Sequence, residues 1–236
     1  MKQFLFLTAL LGAMVPAQAG QLVTNGGFEA GFTGWTRADA LGSDGTFVIQ
    51  SGTASPVNGD TVPAPPGGSN AAMSDAGGPG SHVLYQTLTL PGLMVTSATL
   101  SFDLFIGNRG GLFATPPSGT LDFGINGFNQ QLRVDLMVDG SGAFSVAGAD
   151  ILQNLYQSKA GDAAVTGYST ITLDLTSLVN SNLGKNILFR VAEVDNFAPL
   201  QVGVDNVSLT TTPEPSSVVM ALSAALLGLS RLRRRQ

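Results

Sequence analysis

The sequence predicts an all-β protein, an antiparallel β-sandwich with one short helix, flanked by an N-terminal signal helix and a C-terminal transmembrane helix. Two stretches alternate in hydrophobicity with a period of two. In the first, Leu100, Phe102, Leu104 and Ile106 interleave with Thr99, Ser101, Asp103 and Phe105. In the second, Leu132, Val134, Leu136 and Val138 interleave with Arg133, Asp135, Met137 and Asp139, and a DGSG turn follows. Clusters of Gly, Pro, Asn and Asp punctuate the chain, and no strand pattern alternates with a long helical one. That combination favours an antiparallel sandwich over a parallel α/β sheet.

Further strands are expected at Phe47–Gln50, Val83–Leu90, Ser169–Leu175, Ile187–Val194 and Gln201–Leu209. The helix is expected after Asp150, a capping residue, with Ile151, Leu152, Leu155 and Tyr156 as its apolar stripe and Gly161 as its stop. Two long connections, 52–80 and 107–127, hold few large apolar groups, so they are either functional loops or solvated links. The last strand has an internal conflict of parity. Val202 and Val204 share one face, whereas Val207 and Leu209 have the opposite parity, so a bulge at Asp205 and Asn206 is needed to bury all four.

The ends of the chain differ from its middle. Lys2, an apolar run from Phe4 to Val15, Pro16 and the small residues Ala17 and Ala19 have the layout of a secretory signal peptide, with cleavage expected after Ala19. The apolar run is about a dozen residues, short of the ~20 that span a bilayer. At the other end, residues 216 to 230 carry no charge, and Arg231, Arg233, Arg234 and Arg235 follow as a stop-transfer signal. Fifteen uncharged residues are marginal for a ~30 Å hydrocarbon core, which suits temporary retention better than permanent anchorage. The expected division is a signal peptide over 1–19, a sandwich over 20–211 and a sorting segment over 212–236.

Setting aside Lys2, Glu214 and the four terminal arginines, residues 20 to 212 carry a formal charge of −9, against −5 for the whole chain. An acidic domain is repelled by nucleic acid and by anionic lipid. There is no cysteine, so the exported part relies on its core, or on a metal, rather than on disulfides.

Pro213, Glu214 and Pro215, followed by the apolar span and the arginines, resemble the PEP-CTERM sorting signal of Gram-negative bacteria. The resemblance implies export, an inner-membrane intermediate, processing near the motif by an exosortase, and delivery to the cell surface or the extracellular matrix. The opening LVTNGGFEAGFTGWT and the closing VGVDNVSL resemble the jelly-roll fold of carbohydrate-binding and galactose-binding-like modules, whose first and last strands lie side by side. That second resemblance implies a structural calcium held by Glu29 and Asp205. Calcium takes carboxylate and carbonyl oxygens, and the 13 Asp against 3 Glu are skewed towards the short carboxylates that sit in turns.

Catalysis is not expected. His82 is the only histidine and lies beside Ser81 on a loop edge without an evident partner, and no nucleophile elbow or zinc-binding helix motif is present. Glu193 and Asp195 share a side of one strand but are expected to begin a solvated loop. Trp35 is expected in the core, and none of Tyr85, Tyr156 and Tyr168 is a visible stacking platform. The function expected is structural or adhesive at the cell surface or in the matrix. The alternative is a module that recognises an exopolysaccharide.

Overall fold

The structure is a computed structural model that describes residues 19–115 and 117–214. The expected signal helix with Ala17, the apolar span, Pro215 and the four arginines fall outside these residues. Ala19, exposed, opens the described chain. No helix among the described residues is long and apolar enough to cross a membrane.

Eleven strands follow in order: β1 (Gly20–Gln21), β2 (Thr36–Asp39), β3 (Thr46–Ser51), β4 (Asn70–Asp75), β5 (Gly80–Thr89), β6 (Val95–Asn108), β7 (Gln131–Val138), β8 (Ile151–Gln157), β9 (Ser169–Asp174), β10 (Asn186–Asp195) and β11 (Leu200–Pro213). One sheet has the order β3-β4-β11-β6-β9, with β1 also on β11, and the other has the order β2-β5-β10-β7-β8. All pairs are antiparallel, and the pairing is nested: β4 with β11, β5 with β10, β6 with β9, β7 with β8. A folded-over hairpin whose arms shuttle between two sheets gives this order, the jelly-roll path.

The inward residues of both sheets form one core. Phe28, Trp35, Phe189 and Phe102 line up through it with ring centroids 5.0, 6.0 and 5.7 Å apart. Trp35 is buried as expected, and its indole N–H donates to the Asn25 carbonyl at 3.1 Å. The parity conflict in the last strand resolves as expected. The β11–β6 register slips between Asp205 and Ser208, Asn206 takes φ +50°, and Val202, Val204, Val207 and Leu209 are all buried.

Three expectations are overturned. Residues 151–157 form β8 on the edge of β7, not a helix, with register shifts that accommodate the uneven apolar spacing. The edge of β7 would otherwise leave a row of backbone groups unpaired, and Asp150 serves that edge by accepting the Val138 N–H through its carbonyl instead of capping a helix. The one helix among the described residues, α1, is Thr176–Ser181, where Val179 is buried and the Asp174 carboxylate accepts the N–H of Thr176. Within the long 52–80 connection lies β4, whose Ala71 and Ala72 show no strand pattern but fill the gap between β3 and β11.

The loops also cover the outer sheet faces. Segment 52–69 shields Met73 and Phe105 with Val62, and segments 109–130 and 139–150 place Leu121, Phe123, Phe144 and Val146 over Val83, Ala192 and Val194. Asp135 and Arg190 are consequently buried as an outer-face ion pair. Burial pushes the Asp135 carboxyl up, but Arg133 and Arg190 outweigh it and hold it below its usual value.

Gly26 is where the opening segment meets the bulge. A Cβ there would stand 1.9 Å from the carbonyl oxygen of Val207, and Val207 N–H donates to the Gly26 carbonyl at 3.0 Å. Gly26→Ala should therefore cost about 3 kcal/mol or more of stability, whereas Gly142→Ala, with open space around it, should be near neutral. Chemical denaturation of the two variants checks this.

Candidate functional site

The two carboxylates singled out in the sequence approach the same loop. Glu29 follows the opening turn, and its Oε1 accepts the N–H groups of Ser69 and Asn70 at 2.8 and 2.9 Å. Asp205 sits at the bulge, where its Oδ2 accepts the Gly67 N–H at 3.1 Å and its Oδ1 accepts the Asn206 N–H at 2.7 Å. Asp103, across on β6, accepts from Asn206 Nδ2 at 2.7 Å and from the Thr170 hydroxyl. Burial pushes the Asp205 carboxyl up to about 6; the Asn206 and Gly67 donors lower it, and Asp103 and Glu29 raise it. Glu29 and Asp205 thus converge on residues 67–70, but backbone donors already occupy them. Among the described residues, no three His, Cys, Asp or Glu side chains form a metal-holding group.

A second cluster differs from the sequence expectation of a loop edge and a solvated loop. His82 is fully buried on β5, its Nδ1 is 2.7 Å from the Asp39 carboxylate and its Nε2 is 3.8 Å from Glu193. Glu193 and Asp195 belong to β10 and are both buried, not on a solvated loop. Their neighbours come from β2, β4 and β5, which single-strand patterning does not register. Burial raises Glu193 well above the usual carboxylate range. Asp195 accepts the N–H groups of Gly80 and Leu200, tying two strand ends together, and burial pushes it up to about 6.

The most exposed aromatic surface lies just beyond Asp195. At this end of the sandwich β5, β7 and β11 start while β6 and β10 stop, so segments 76–79, 109–130 and 196–199 gather there. Phe197 is 65% exposed and Phe128 42%, and their rings meet edge to face with centroids 5.7 Å apart. Asn196 fixes the pair. Its Oδ1 accepts the Asn129 N–H at 2.7 Å and its Nδ2 donates to the Gly127 carbonyl at 2.7 Å. Gly110 lies beneath Phe197, where a Cβ would stand 3.0 Å from the ring, and Gly77, Pro79, Asp195, Phe197 and Pro199 enclose a pocket of about 160 Å³. Trp35 is buried, and the three tyrosines are half-buried. The platform is made of phenylalanine, not Trp or Tyr, and its only signal in the sequence is an apolar ring within a Gly- and Asn-rich loop.

A wider, more open groove of about 510 Å³ runs between the edge strands β2 and β3, lined by Phe32, Trp35, Arg37, Asp39 and Thr46. Its charged groups are engaged. Arg37 stacks over the Phe32 ring at 4.6 Å and donates to the Phe47 carbonyl, and Asp39 holds His82.

No family model and no curated protein matches this sequence. Solved structures with a similar chain path include the carbohydrate-binding module TmCBM61 in complex with β-1,4-galactotriose, at 14% identity over 83% of this chain and 99% of that one, TM-score 0.44. A carbohydrate-binding module of the β-sandwich superfamily shares 14% identity over 78% and 60% of the two chains, TM-score 0.43. The apo form of a cyclase from Fischerella sp. shares 21% over 83% and 97%, TM-score 0.45. No residue role is carried over from any of them.

Glu193, Asp195 and Asp205 predict an acid-favouring stability profile. With folded values of about 6 for the two aspartates against an ordinary ~3.9, the native chain holds protons that the unfolded chain has lost between about pH 4 and pH 6, so stability falls as pH rises through that window. Without added metal, the melting temperature should be higher at about pH 5 than at about pH 7.5, and Asp205→Asn should flatten the difference. Thermal melts followed by circular dichroism test both.

Proposed function

We propose that the chain is an exported surface or matrix protein whose sandwich binds carbohydrate weakly at its loop-bearing end. The observation that carries the binding reading is the exposed Phe128–Phe197 pair beside the Asp195 pocket. An aromatic face offers a flat apolar area to the C–H face of a pyranose, and backbone groups of the surrounding loops can meet its hydroxyls at the rim. Glycan array screening followed by calorimetry on the folded domain tests it. Phe197→Ala should weaken binding about tenfold or more, whereas Arg37→Ala should leave it unchanged. The opposite outcome would move the site to the lateral groove, and the absence of any bound polysaccharide would leave the structural or adhesive role.

The reading includes no catalysis, because His82 and Glu193 are sealed between the sheets, away from any soluble substrate. Export, exosortase processing and passage through a membrane-held intermediate rest on the sequence of the two ends. Mass spectrometry of the surface form checks them: a mature chain that begins at Gly20 and has lost Arg235 is expected, and an intact tail would contradict processing.

A structural calcium is included as well. Glu29 and Asp205 would hold it, supported by the mutual repulsion of Glu29, Asp103 and Asp205, which a divalent cation would cancel. The ion would have to displace the N–H donors of 67–70. Calcium at a hundred times its Kd should add about 2.7 kcal/mol and raise the melting temperature, most clearly near neutral pH. An unchanged melt with calcium and with chelator would remove the ion.

A further inference from the structure

The turn between β5 and β6 lies beside the point where the chain leaves the sandwich for its apolar span. Leu90 and Val95, on either side of the turn, are buried, and between them Leu93 and Met94 are 77% and 49% exposed. The turn is held outward by two bonds: Leu90 N–H to the Lys185 carbonyl and Gly184 N–H to the Pro91 carbonyl. The final strand ends against it. Pro213 pairs with Val95, and Glu214 N–H donates to the Met94 carbonyl at 3.1 Å. Two residues later the uncharged stretch 216–230 begins. The first residues after the expected signal cleavage lie here too, with Gly20 opposite Thr211.

Charge follows the same geography. The segments that surround the exit (20–24, 86–98, 174–186 and 209–214) contain two carboxylates, the exposed Asp174 at the far end of β9 and Glu214, and one cation, the exposed Lys185, in a domain of formal charge −9. Asp139 and Asp150 are at this end as well, but on the turn after β7, two strands across the opposite sheet. Nowhere in this group does an acidic cluster oppose a bilayer.

We propose that this end is a membrane-facing surface in which Leu93 and Met94 dip into the lipid interface, with Lys185 at the headgroups, while the chain is tethered. The proposal rests on the membrane-held intermediate of the preceding section. Two apolar side chains are too few to recruit a free protein, but a tether that emerges beside them supplies a high effective concentration. Their effect is orientation. The ten residues of β5 separate this turn from the Phe128–Phe197 end by about 30 Å, so the aromatic pair would point away from the membrane.

The chain has no cysteine, so single cysteines can be labelled cleanly. The full-length chain carrying Leu93→Cys, Met94→Cys, Val57→Cys or Phe197→Cys, each coupled to an environment-sensitive fluorophore, is reconstituted into vesicles of equal parts phosphatidylethanolamine and phosphatidylglycerol. Probes at 93 and 94 should shift to the blue and be quenched by spin-labelled lipid, while those at 57 and 197 stay aqueous. If the chain floats with vesicles and the 93 and 94 probes match the 57 probe, the surface is overturned and the tether stands. If the chain does not float with vesicles, the tether is refuted and the surface falls with it.

Discussion

The structure depends on a clasp between its first and last segments. The opening turn, Asn25 to Glu29, wraps the bulge at Asp205 to Val207. Gly26 lies against the Val207 carbonyl, and Asn25 organises the turn through bonds to Ala30, Gly31 and Thr33. Asn25 and Phe28 accept positive φ in order to make it. This places Phe28 and Trp35 over Phe189, so the same contact that closes the chain ends also completes the core. A bulge in a central strand would ordinarily weaken a sheet. Here the partner segment fills the irregularity, and its backbone supplies a missing hydrogen bond.

The loops set the electrostatics. A bare two-sheet sandwich leaves its outer faces wet, and charged residues there would be ordinary. Covering those faces buries Asp135 with Arg190 and shelters Asp75 under the donors of Val57 and Asn58. Donors outweigh burial at both carboxylates and hold them ionised, while the buried Nε of Arg190 is left without a partner. The carboxylates at the ends and at the bulge are less well compensated, which is why burial raises Asp195, Asp205 and Glu193. Paired charges and poorly compensated ones thus occupy different places in one small domain, and the unpaired ones lie next to the candidate sites.

The sandwich is also polar along its strands. Both chain ends leave at the Leu93–Met94 end, and the long loops with Phe128 and Phe197 gather at the other. Nested pairing makes this unavoidable: the two outermost strands of the folded hairpin are neighbours, so their free ends meet at one end and the internal connections are divided between both. The exposed aromatic pair and the point where the last strand ends therefore face opposite ways.

Seven of the eleven strands were legible from alternation and turn residues, because a period of two reflects a choice between faces that each residue makes locally. The bulge was legible too. A conflict of parity among Val202, Val204, Val207 and Leu209 has no other solution once all four must be buried. By contrast, β4 and β8 were hidden, since Ala71 and Ala72 carry no pattern, and the stripe of Ile151, Leu152, Leu155 and Tyr156 suits a helix equally well until the open edge of β7 requires a partner. Of the candidate site residues, Glu29 and Asp205 reach the same loop, where backbone N–H groups occupy them, while Phe128 and Phe197 meet only because their loops fold to one end. By itself the sequence determined the composition of the ends, the strand-rich class and the irregularity at Asp205. Tertiary structure decided which charges are buried and which rings are exposed, because both depend on loops that reach across the sheets from distant parts of the chain.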